Sequence, residues 1–295
     1  EDLRMSEDIL RRQSDAYRRL RNTLRYLLGN LADFEEAEKL DSGGMPELER
    51  WVLHRLWELD RDIRLCCENF DFHGIFTALH NFCAVELSAF YFDVRKDSLY
   101  CDPKNATRRR AARTVLDLVF ECLTAWLAPF LCFTADEAWL MRHPGDSGSV
   151  HLQDFPTLSD GWRDDALAEK WAKLRKLRRV VTGALEIKRA DKSIGSSLQA
   201  EAIVYATEDY RRCCDELNMP ELFITSEARF EEGDAPGGAF ELEEVAGVSV
   251  VIRPAAGEKC ARCWQVLPEV GSVGEHTDIC ARCADAVEAH QAAAE

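Results

Sequence analysis

The sequence lacks the apolar runs and leader segments of membrane and secreted proteins. No uninterrupted apolar stretch approaches the ~18–20 residues that a membrane span needs, and the acidic opening EDLRMSEDIL is unlike a secretory signal. Cysteine is too sparse for a disulfide scaffold, at 12 of 295 residues. We therefore expect a soluble globular protein of the reducing cytoplasm, with no membrane partner.

Signatures of catalysis are also missing. The chain contains neither a G-x-x-x-x-G-K-[ST] nor a G-x-G-x-x-G phosphate loop, and no G-x-S-x-G nucleophile elbow. The seven histidines are dispersed. His73 and His80 fall on one helix face, but no acid or thiol set accompanies them, so we interpret them as packing residues. We expect no catalytic residue in this chain.

The chain is acidic, but its charge is unevenly distributed. The net charge is −16, of which −13 lies from Glu201 onward, where 20 Asp and Glu face 7 Lys and Arg. Residues 170–192 instead hold nine bases against two acids, a local charge of +7. Because a local basic patch can bind phosphate whatever the bulk charge, a nucleic-acid partner is not excluded.

Hydrophobic residues recur at helical spacing through the first 190 or so residues. In the opening segment Leu10, Tyr17, Leu24 and Leu31 repeat every seven residues. Further helices are predicted from Pro46 towards Phe70, from His73 to Val94, at residues 106–127, from a capping box at Thr134 and Glu137, and at residues 164–189.

Beyond about residue 190 the sequence pattern changes from helical spacing to short β-branched runs. Short β-branched runs at residues 202–206, 222–225 and 248–252 predict strands, and a helix fits between Glu208 and Leu217. The expected fold class is mainly α. We expect a helical-bundle domain over residues 1–195, a small α+β junction domain over 196–257 and a cysteine-bearing module over 258–295.

That module contains the strongest local signal in the sequence. Two C-x2-C pairs are separated by sixteen residues, and their members are Cys260, Cys263, Cys280 and Cys283. Two such knuckles supply the four thiolates of a closed, tetrahedral zinc site, which is structural because no position stays open for water. A redox CxxC is the alternative, and two matched pairs in a short Gly-rich tail argue against it. His276 is interpreted as a loop histidine.

Basic residues gather in three places on the predicted helices. Arg4 begins a sevenfold spacing of arginines, and its last three members form a stripe beside the apolar face of the first helix, joined by Arg21; these three are Arg11, Arg18 and Arg25. Lys188, Arg189 and Lys192 fall where a helix ends, and residues 108–110 with Arg113 lie near a helix start. A solvated helix flank explains most such clusters. Cations at a helix start oppose the helix dipole, however, so that cluster points to a phosphate partner.

The zinc knuckles add cations and an aromatic side chain. Arg262 and Arg282 lie inside the two pairs, and Trp264 directly follows the first. A tiny zinc fold has little core in which to bury an indole, so Trp264 either packs over the site or offers a face on which a base can stack. Three basic clusters beside a zinc knuckle favour nucleic-acid binding.

Several long segments of the sequence resemble segments of bacterial isoleucyl-tRNA synthetases. The string YRRLRNTLRYLLGNLADF at residues 17–34 resembles the start of their anticodon-binding region, and EKCARCW at residues 258–264 with CARC at 280–283 resembles their zinc module. Other words in the family's order are ERWVLHRL at 49–56, ALHNFCAVELSAFY at 78–91, KDSLYC at 96–101, APFL at 128–131, TADEAW at 134–139 and KSIGSSL at 192–198. Valyl and leucyl relatives share the helical part, whereas the four-cysteine knuckle favours the isoleucyl enzymes.

The resemblance implies a function. Family members are class I synthetases that use ATP to join isoleucine to tRNA, and their HIGH and KMSKS signatures and editing domain do not occur here. The resemblance therefore implies a C-terminal, non-catalytic fragment that binds the anticodon stem-loop of isoleucine tRNA. Its partners would be that tRNA and the catalytic domain of the same polypeptide, in a monomer. The tail after Cys283 departs from the family's Gly- and Arg-containing ending.

If the resemblance holds, the cofactor is one structural Zn²⁺. The residues expected to contact tRNA are Lys188, Arg189, Lys192, Arg262, Trp264, Arg282, Arg18 and Arg25. Two other hypotheses for the function of the chain stay open. A similar knuckle closes certain DNA glycosylases, which need an N-terminal proline that the chain's first residues, Glu1 and Asp2, do not provide. A protein–protein scaffold with a structural zinc is the third reading.

Overall fold

The fold was obtained as a computed structural model, which describes residues 5–145 and 148–292. The chain divides into two compact units. The helical unit comprises Glu1–Arg95 and Lys104–Asp164, and the second unit comprises Lys96–Pro103 and Asp165–Glu295. The division at residues 195 and 257 that the sequence suggested stays a prediction; by contacts, the helix after Asp164 groups with the C-terminal part.

Long helices built from periodic apolar residues make up the helical unit. They are α1 (Glu7–Asn30), α2 (Glu47–Glu68), α3 (Phe72–Asn81), α4 (Phe92–Cys101, of which the last residues belong to the second unit), α5 (Thr107–Leu127) and α6 (Cys132–Arg142). The helix after Pro46 begins where predicted and ends at Glu68, two residues short of Phe70, and the helix at 106–127 is confirmed within a residue. The mainly α fold class is confirmed.

One stretch of the chain stays helical from α3 through α4. A π-helical segment, Phe82–Tyr91, joins the two, so the helix predicted from His73 to Val94 runs on to Cys101. By length and composition alone the stretch Phe72–Cys101 could cross a membrane. Its apolar side chains Leu79, Leu87 and Phe90 are buried within the protein. Only 44% of its most apolar part is buried, and Phe72 and Val85 are exposed, so burial explains part of its hydropathy.

The core of the helical unit surrounds α5, on which most side chains are buried. The core also encloses an ion pair. Glu49 is fully buried, accepts two hydrogen bonds of 2.6 Å from the Arg95 guanidinium, and accepts another of 3.0 Å from the Tyr91 hydroxyl. A buried charge persists only when such partners satisfy it, so this network fixes how α2 meets the following helical stretch.

The capping box predicted at Thr134 and Glu137 is wrong. Helix α6 begins two residues earlier, at Cys132, and Leu131 at its N-cap makes no side-chain capping bond. Thr134 lies inside the first turn, where its hydroxyl pairs with that of Tyr17 on α1 at 3.0 Å. The Thr134 hydroxyl therefore makes a tertiary contact with α1 in place of a cap.

The second unit packs one long helix against a small sheet. Helix α7 (Asp165–Ala190) matches the helix predicted at 164–189, and its buried side chains face strand β3. The sheet has the order β2-β1-β3. Its strands are β1 (Ala200–Ala206), β2 (Glu227–Phe230) and β3 (Val248–Pro254), with β2 parallel and β3 antiparallel to β1.

One predicted strand is a helix. Residues 222–225 were expected to be extended, but helix α9 (Met219–Phe223) covers the start of that run. Asn218 caps it by accepting a hydrogen bond from the Glu221 amide at 3.2 Å, and Ile224 ends it with a left-handed φ of 58°. Helix α8 (Glu208–Cys213) forms within the stretch where a helix was predicted. The apolar run was too short to distinguish a buried strand from a buried helical turn.

The cysteine-bearing segment closes the second unit. A two-stranded hairpin pairs β4 (Glu258–Lys259) with β5 (Val266–Leu267), and helix α10 (Ala281–Ala292) follows. Gly257, just before the hairpin, has a φ of 108°, and a Cβ there would lie 2.2 Å from the backbone of Leu267. Only glycine fits this close approach of the two strands. We refer to residues 257–292 as the zinc module.

Candidate zinc site and RNA-binding residues

The hairpin and the start of α10 bring the four cysteines together. Their sulfur atoms all lie within 4.8 Å of one another, and every one of the four residues is buried. The sulfurs of Cys263 and Cys280 are 3.8 Å apart. Zn–S bonds of ~2.3 Å in a tetrahedron place sulfurs ~3.8 Å apart, which the Cys263–Cys280 pair matches, so the donor set suits a tetrahedral zinc.

Polar hydrogens surround the sulfurs of the zinc module. The Cys280 amide donates to the sulfur of Cys260 at 3.4 Å, and the Arg262 guanidinium donates to that of Cys283 at 3.7 Å. Burial opposes ionisation of Cys260, but backbone hydrogen bonds outweigh it and lower the pKa of this thiol to about 7. At Cys260 these donors favour the thiolate, which is the form that binds metal, whereas burial and the neighbouring thiols raise the pKa of the other three ligands.

The four-thiolate set leaves no role for a fifth ligand. His276, the nearest histidine in sequence, faces Glu288 at 3.8 Å and is absent from the metal-binding group. A closed set of four cysteines makes the site structural: the zinc would hold the hairpin and α10 together, because each supplies one pair of ligands. The predicted structural zinc is confirmed as the cofactor of this site.

Trp264 is displayed on the surface of the zinc module. Its side chain is 59% exposed, and its backbone takes a left-handed φ of 68°, which a non-glycine residue adopts at a cost of ~1–2 kcal/mol. The turn that presents Cys263 requires this conformation, since the Trp264 amide bonds the carbonyl of Cys260 at 3.0 Å. The Lys259 ammonium lies 5.4 Å from the ring centroid and holds the indole by a cation–π contact.

The two knuckle arginines bind other parts of the second unit. The Arg262 guanidinium donates to the backbone carbonyls of Tyr100 and Cys101, and the Arg282 guanidinium pairs with Asp97 and Asp102. Both were expected to contact tRNA, and in this structure both have partners within the protein.

The basic residues at the end of α7 are accessible. Lys188 and Arg189 each pair with an acid three residues away, Asp191 at 3.3 Å and Glu186 at 2.6 Å. Their side chains are 39% and 49% exposed, and Lys192 follows as an exposed residue with a φ of 62°. Exposed i,i+3 pairs are worth little, so an incoming phosphate can replace the acids.

The arginines of α1 lie on the outer part of the helical unit. Arg18 is 70% exposed and pairs with Asp15 at 3.3 Å, and Arg25 is exposed on the same helix. Arg11 shares the sevenfold spacing and is also exposed, while Arg4 lies outside the described residues. The stripe is available to a phosphate backbone.

The cluster at the start of α5 has a structural role. Arg113 is 4% exposed and donates to Glu38 at 2.7 Å and to the carbonyl of Ala32 at 2.6 Å. Arg110 donates to the carbonyls of Ala37 and Glu38, each at 3.1 Å. The phosphate partner inferred for this cluster is therefore wrong for the buried Arg113 and stays a prediction for the half-buried Arg110; both arginines hold the connector between α1 and α2.

Sequence reasoning missed a fifth cysteine beside the zinc ligands. Cys101, at the end of α4, is 6% exposed and shares a buried cluster with all four of them, Ile279 and Ala284. Its sulfur lies 3.9 Å from the carbonyl of Arg262, and a hydrogen bond with Cys283 lowers its pKa. The only sequence signal for Cys101 was the segment KDSLYC, which was noted for its resemblance to the family and not for any expected role of this cysteine.

Comparison with known proteins gives two family matches. Residues 49–204 match the anticodon-binding domain of tRNA ligase, and residues 257–286 match the zinc finger found in FPG and IleRS. The second match ends just beyond the last of the four buried cysteines. The chain therefore carries a helical anticodon-binding region and a zinc finger of this type.

Curated relatives are isoleucine–tRNA ligases. The chain is 51% identical to that of Ruegeria pomeroyi over 96% of its own length and 50% identical to that of Caulobacter vibrioides over 97%. The enzyme of Brucella abortus is 50% identical over 99%. The chain spans only 29–30% of the length of these relatives. By the match that covers more than half of its residues, this chain belongs to the family of anticodon-binding domains of tRNA ligases.

Proposed function

We propose that this chain is the tRNA-recognition part of an isoleucine–tRNA ligase and that it binds the anticodon stem-loop of isoleucine tRNA. The observation that carries the proposal is the presence, in one chain, of the anticodon-binding match at 49–204 and a four-thiolate zinc module that displays Trp264. Joining isoleucine to tRNA would be the work of a longer polypeptide, and this part would contribute binding.

The chemistry of the exposed residues suits single-stranded RNA. Unpaired bases stack on aromatic and guanidinium faces, and phosphates are neutralised by lysine and arginine. Trp264 offers an exposed indole, and Lys188, Arg189 and Lys192 offer cations that are paired weakly or exposed. Arg18 and Arg25 offer further cations on α1. We therefore propose stacking at the zinc module and phosphate contacts along the two helices.

Binding measured across a salt series tests the phosphate contacts. The variant K188A/R189A/K192A is compared with K173A/K176A/R179A, which removes the same number of charges from exposed positions of the same helix. We expect the first variant to weaken tRNA binding and to flatten the slope of log K against log salt by ~0.7–0.9 per lost contact, and the second to change it less. Equal slopes for wild type and the first variant would remove these residues from the interface.

Stacking is tested separately at Trp264. Trp264→Ala is expected to weaken binding of the anticodon stem-loop by ~1–3 kcal/mol, and Trp264→Phe to restore most of it, because a phenyl ring keeps an aromatic face. Zinc content serves as the control for folding. Equal affinity of Trp264→Ala and wild type would exclude stacking on this residue.

Competition binding distinguishes tRNA recognition from the two other hypotheses, a DNA glycosylase-like role and a protein–protein scaffold. Unlabelled isoleucine tRNA, another tRNA and duplex DNA are added in turn to the complex with labelled isoleucine tRNA. The proposal expects displacement in that order of strength. Strongest displacement by duplex DNA would favour a glycosylase-like role, and absence of any tRNA complex at low salt would favour a scaffold.

A further inference from the structure

A short segment of the chain is clamped by both arginines of the zinc knuckles. The segment is Lys96–Pro103, which belongs to the same compact unit as the zinc module. The Arg282 guanidinium makes two hydrogen bonds to the carboxylate of Asp97, one of them 2.8 Å long, and a third of 3.1 Å to Asp102. The Asp102 side chain is only 6% exposed. Bidentate pairs of this kind are the strong, directional ion pairs of proteins.

Arg262 contacts the same segment through its backbone. Its guanidinium donates to the carbonyl of Cys101 at 2.5 Å and to that of Tyr100 at 3.3 Å. These residues form the last turn of α4, where carbonyls have no partner within the helix and the helix dipole favours a cation. Arg262 therefore caps the C-terminus of α4, and its position between two zinc ligands couples the cap to the metal site.

The third contact is a buried side chain. Cys101 joins the cluster of the four zinc ligands, and its sulfur faces the carbonyl of Arg262 at 3.9 Å. The two guanidinium groups and the buried Cys101 side chain thus hold Lys96–Pro103 against the two knuckles. We call these residues, together with Arg262 and Arg282, the latch.

We propose that the latch positions the zinc module so that Trp264 meets RNA, and that Arg282 is a positioning residue and not a phosphate ligand. The inference rests on the proposed function for its RNA arm. Arg282 and the Trp264 indole belong to the two knuckles, which share the zinc. An Arg282 held on α4 therefore restrains the opposite knuckle, and with it the direction in which the indole points.

The two roles of Arg282 predict changes of opposite sign. If Arg282 bound phosphate, Asp97 and Asp102 would compete with the RNA for it. Their replacement by asparagine would then tighten binding and steepen the salt dependence, since one more cation becomes free. If Arg282 is part of the latch, the same replacement releases the zinc module. Binding then weakens by about tenfold, the equivalent of ~1.4 kcal/mol, with an unchanged salt slope.

The experiment uses the zinc-loaded chain and two readouts. Hydrogen exchange of the zinc-module amides is measured without RNA, and stem-loop affinity is measured across salt. The variants are D97N/D102N, Arg282→Gln and Arg282→Lys, and the control is D285N, which removes one exposed acid from α10. We expect faster exchange and weaker binding for D97N/D102N and Arg282→Gln, partial rescue by Arg282→Lys, and wild-type behaviour of D285N, each with one zinc bound.

Each outcome decides between the roles. Tighter binding and a steeper slope for D97N/D102N would overturn the latch, and so would unchanged exchange in the zinc-loaded Arg282→Gln variant. If D97N/D102N loses zinc, Arg282→Lys supplies the comparison, because it keeps the charge and one ion pair. If the wild-type chain binds no tRNA, the proposed function fails, while the exchange data still test the docking of the knuckles.

Discussion

The helical unit and the zinc module achieve a buried interior in different ways. Large side chains such as Trp126, Phe120 and Leu56 are fully buried in the helical unit. The buried cluster at the zinc module consists of its four cysteines, Ile279 and Ala284, together with Cys101 from the end of α4. A segment of this size cannot bury enough apolar surface to fold by itself, so metal bonds replace the core. We therefore expect the helical unit to fold without metal and the zinc module to need it.

The two units also use arginine side chains for internal ion pairs. In the helical unit Arg95 and Arg113 are almost fully buried and bind Glu49 and Glu38. In the second unit Arg282 binds Asp97 and Asp102. A cation that looks available for RNA in the sequence can therefore already have partners within the fold, as Arg282 does although its side chain is 32% exposed.

The largest expected effect is the loss of one zinc ligand. Cys263→Ser should release the zinc and unfold the zinc module, because zinc contributes ~10–16 kcal/mol to the folding of such peptides. The far-UV signal of the helical unit should persist. Zinc content by mass spectrometry and protease sensitivity of the tail check this, with exposed Cys132→Ser as the control. Stoichiometric zinc in Cys263→Ser would contradict the ligand assignment.

The buried ion pair of the helical unit should show the next largest effect. Glu49→Ala removes the carboxylate that accepts from Arg95 and Tyr91, and we expect a loss of ~3–5 kcal/mol in the free energy of unfolding. The matched control is Asp15→Ala at the exposed pair with Arg18, expected to cost ~0–1 kcal/mol. Denaturant unfolding measures both. Similar losses would mean that burial does not separate the two pairs.

A cavity introduced by mutation into the core of the helical unit tests whether this unit and the zinc module fold independently. Leu56→Ala should lower the free energy of unfolding of the helical unit by ~2–5 kcal/mol, since Leu56 is fully buried, without changing zinc content. Leu152→Ala, at a side chain that is 77% exposed, should change it by less than ~0.5 kcal/mol. Zinc loss in Leu56→Ala would show that the two parts do not fold independently.

The smallest effect concerns thiol reactivity. Burial raises the pKa of Cys83 to about 12, so this thiol stays protonated and unreactive even when the pH is raised to about 9. Cys132 is exposed and should be alkylated by iodoacetamide in the native chain. Removing zinc should add the four knuckle cysteines to the labelled set. Labelling of Cys83 in the native state would contradict the packing of the helical unit.

Much of this architecture could be read from residue patterns, and the failures have physical causes. Heptad spacing and Pro46 placed α1 and α2, and the spacing of the cysteine pairs gave the metal site, because both patterns are local. The run at 222–225 was assigned wrongly, since a short apolar run fits either structure. The partners of Arg282 are 180 and 185 residues away in sequence. No local pattern reveals such a contact.

We expect zinc to build the geometry with which the zinc module would bind RNA, while the helical unit folds without the metal. A zinc titration of the metal-free chain, with circular dichroism and stem-loop affinity followed together, tests this most directly. We expect most of the helical signal to be present before zinc is added. Affinity should then rise by at least about fivefold, as for one stacked base, and saturate at one zinc per chain. An affinity that is independent of zinc would show that the metal does not build the RNA-binding surface.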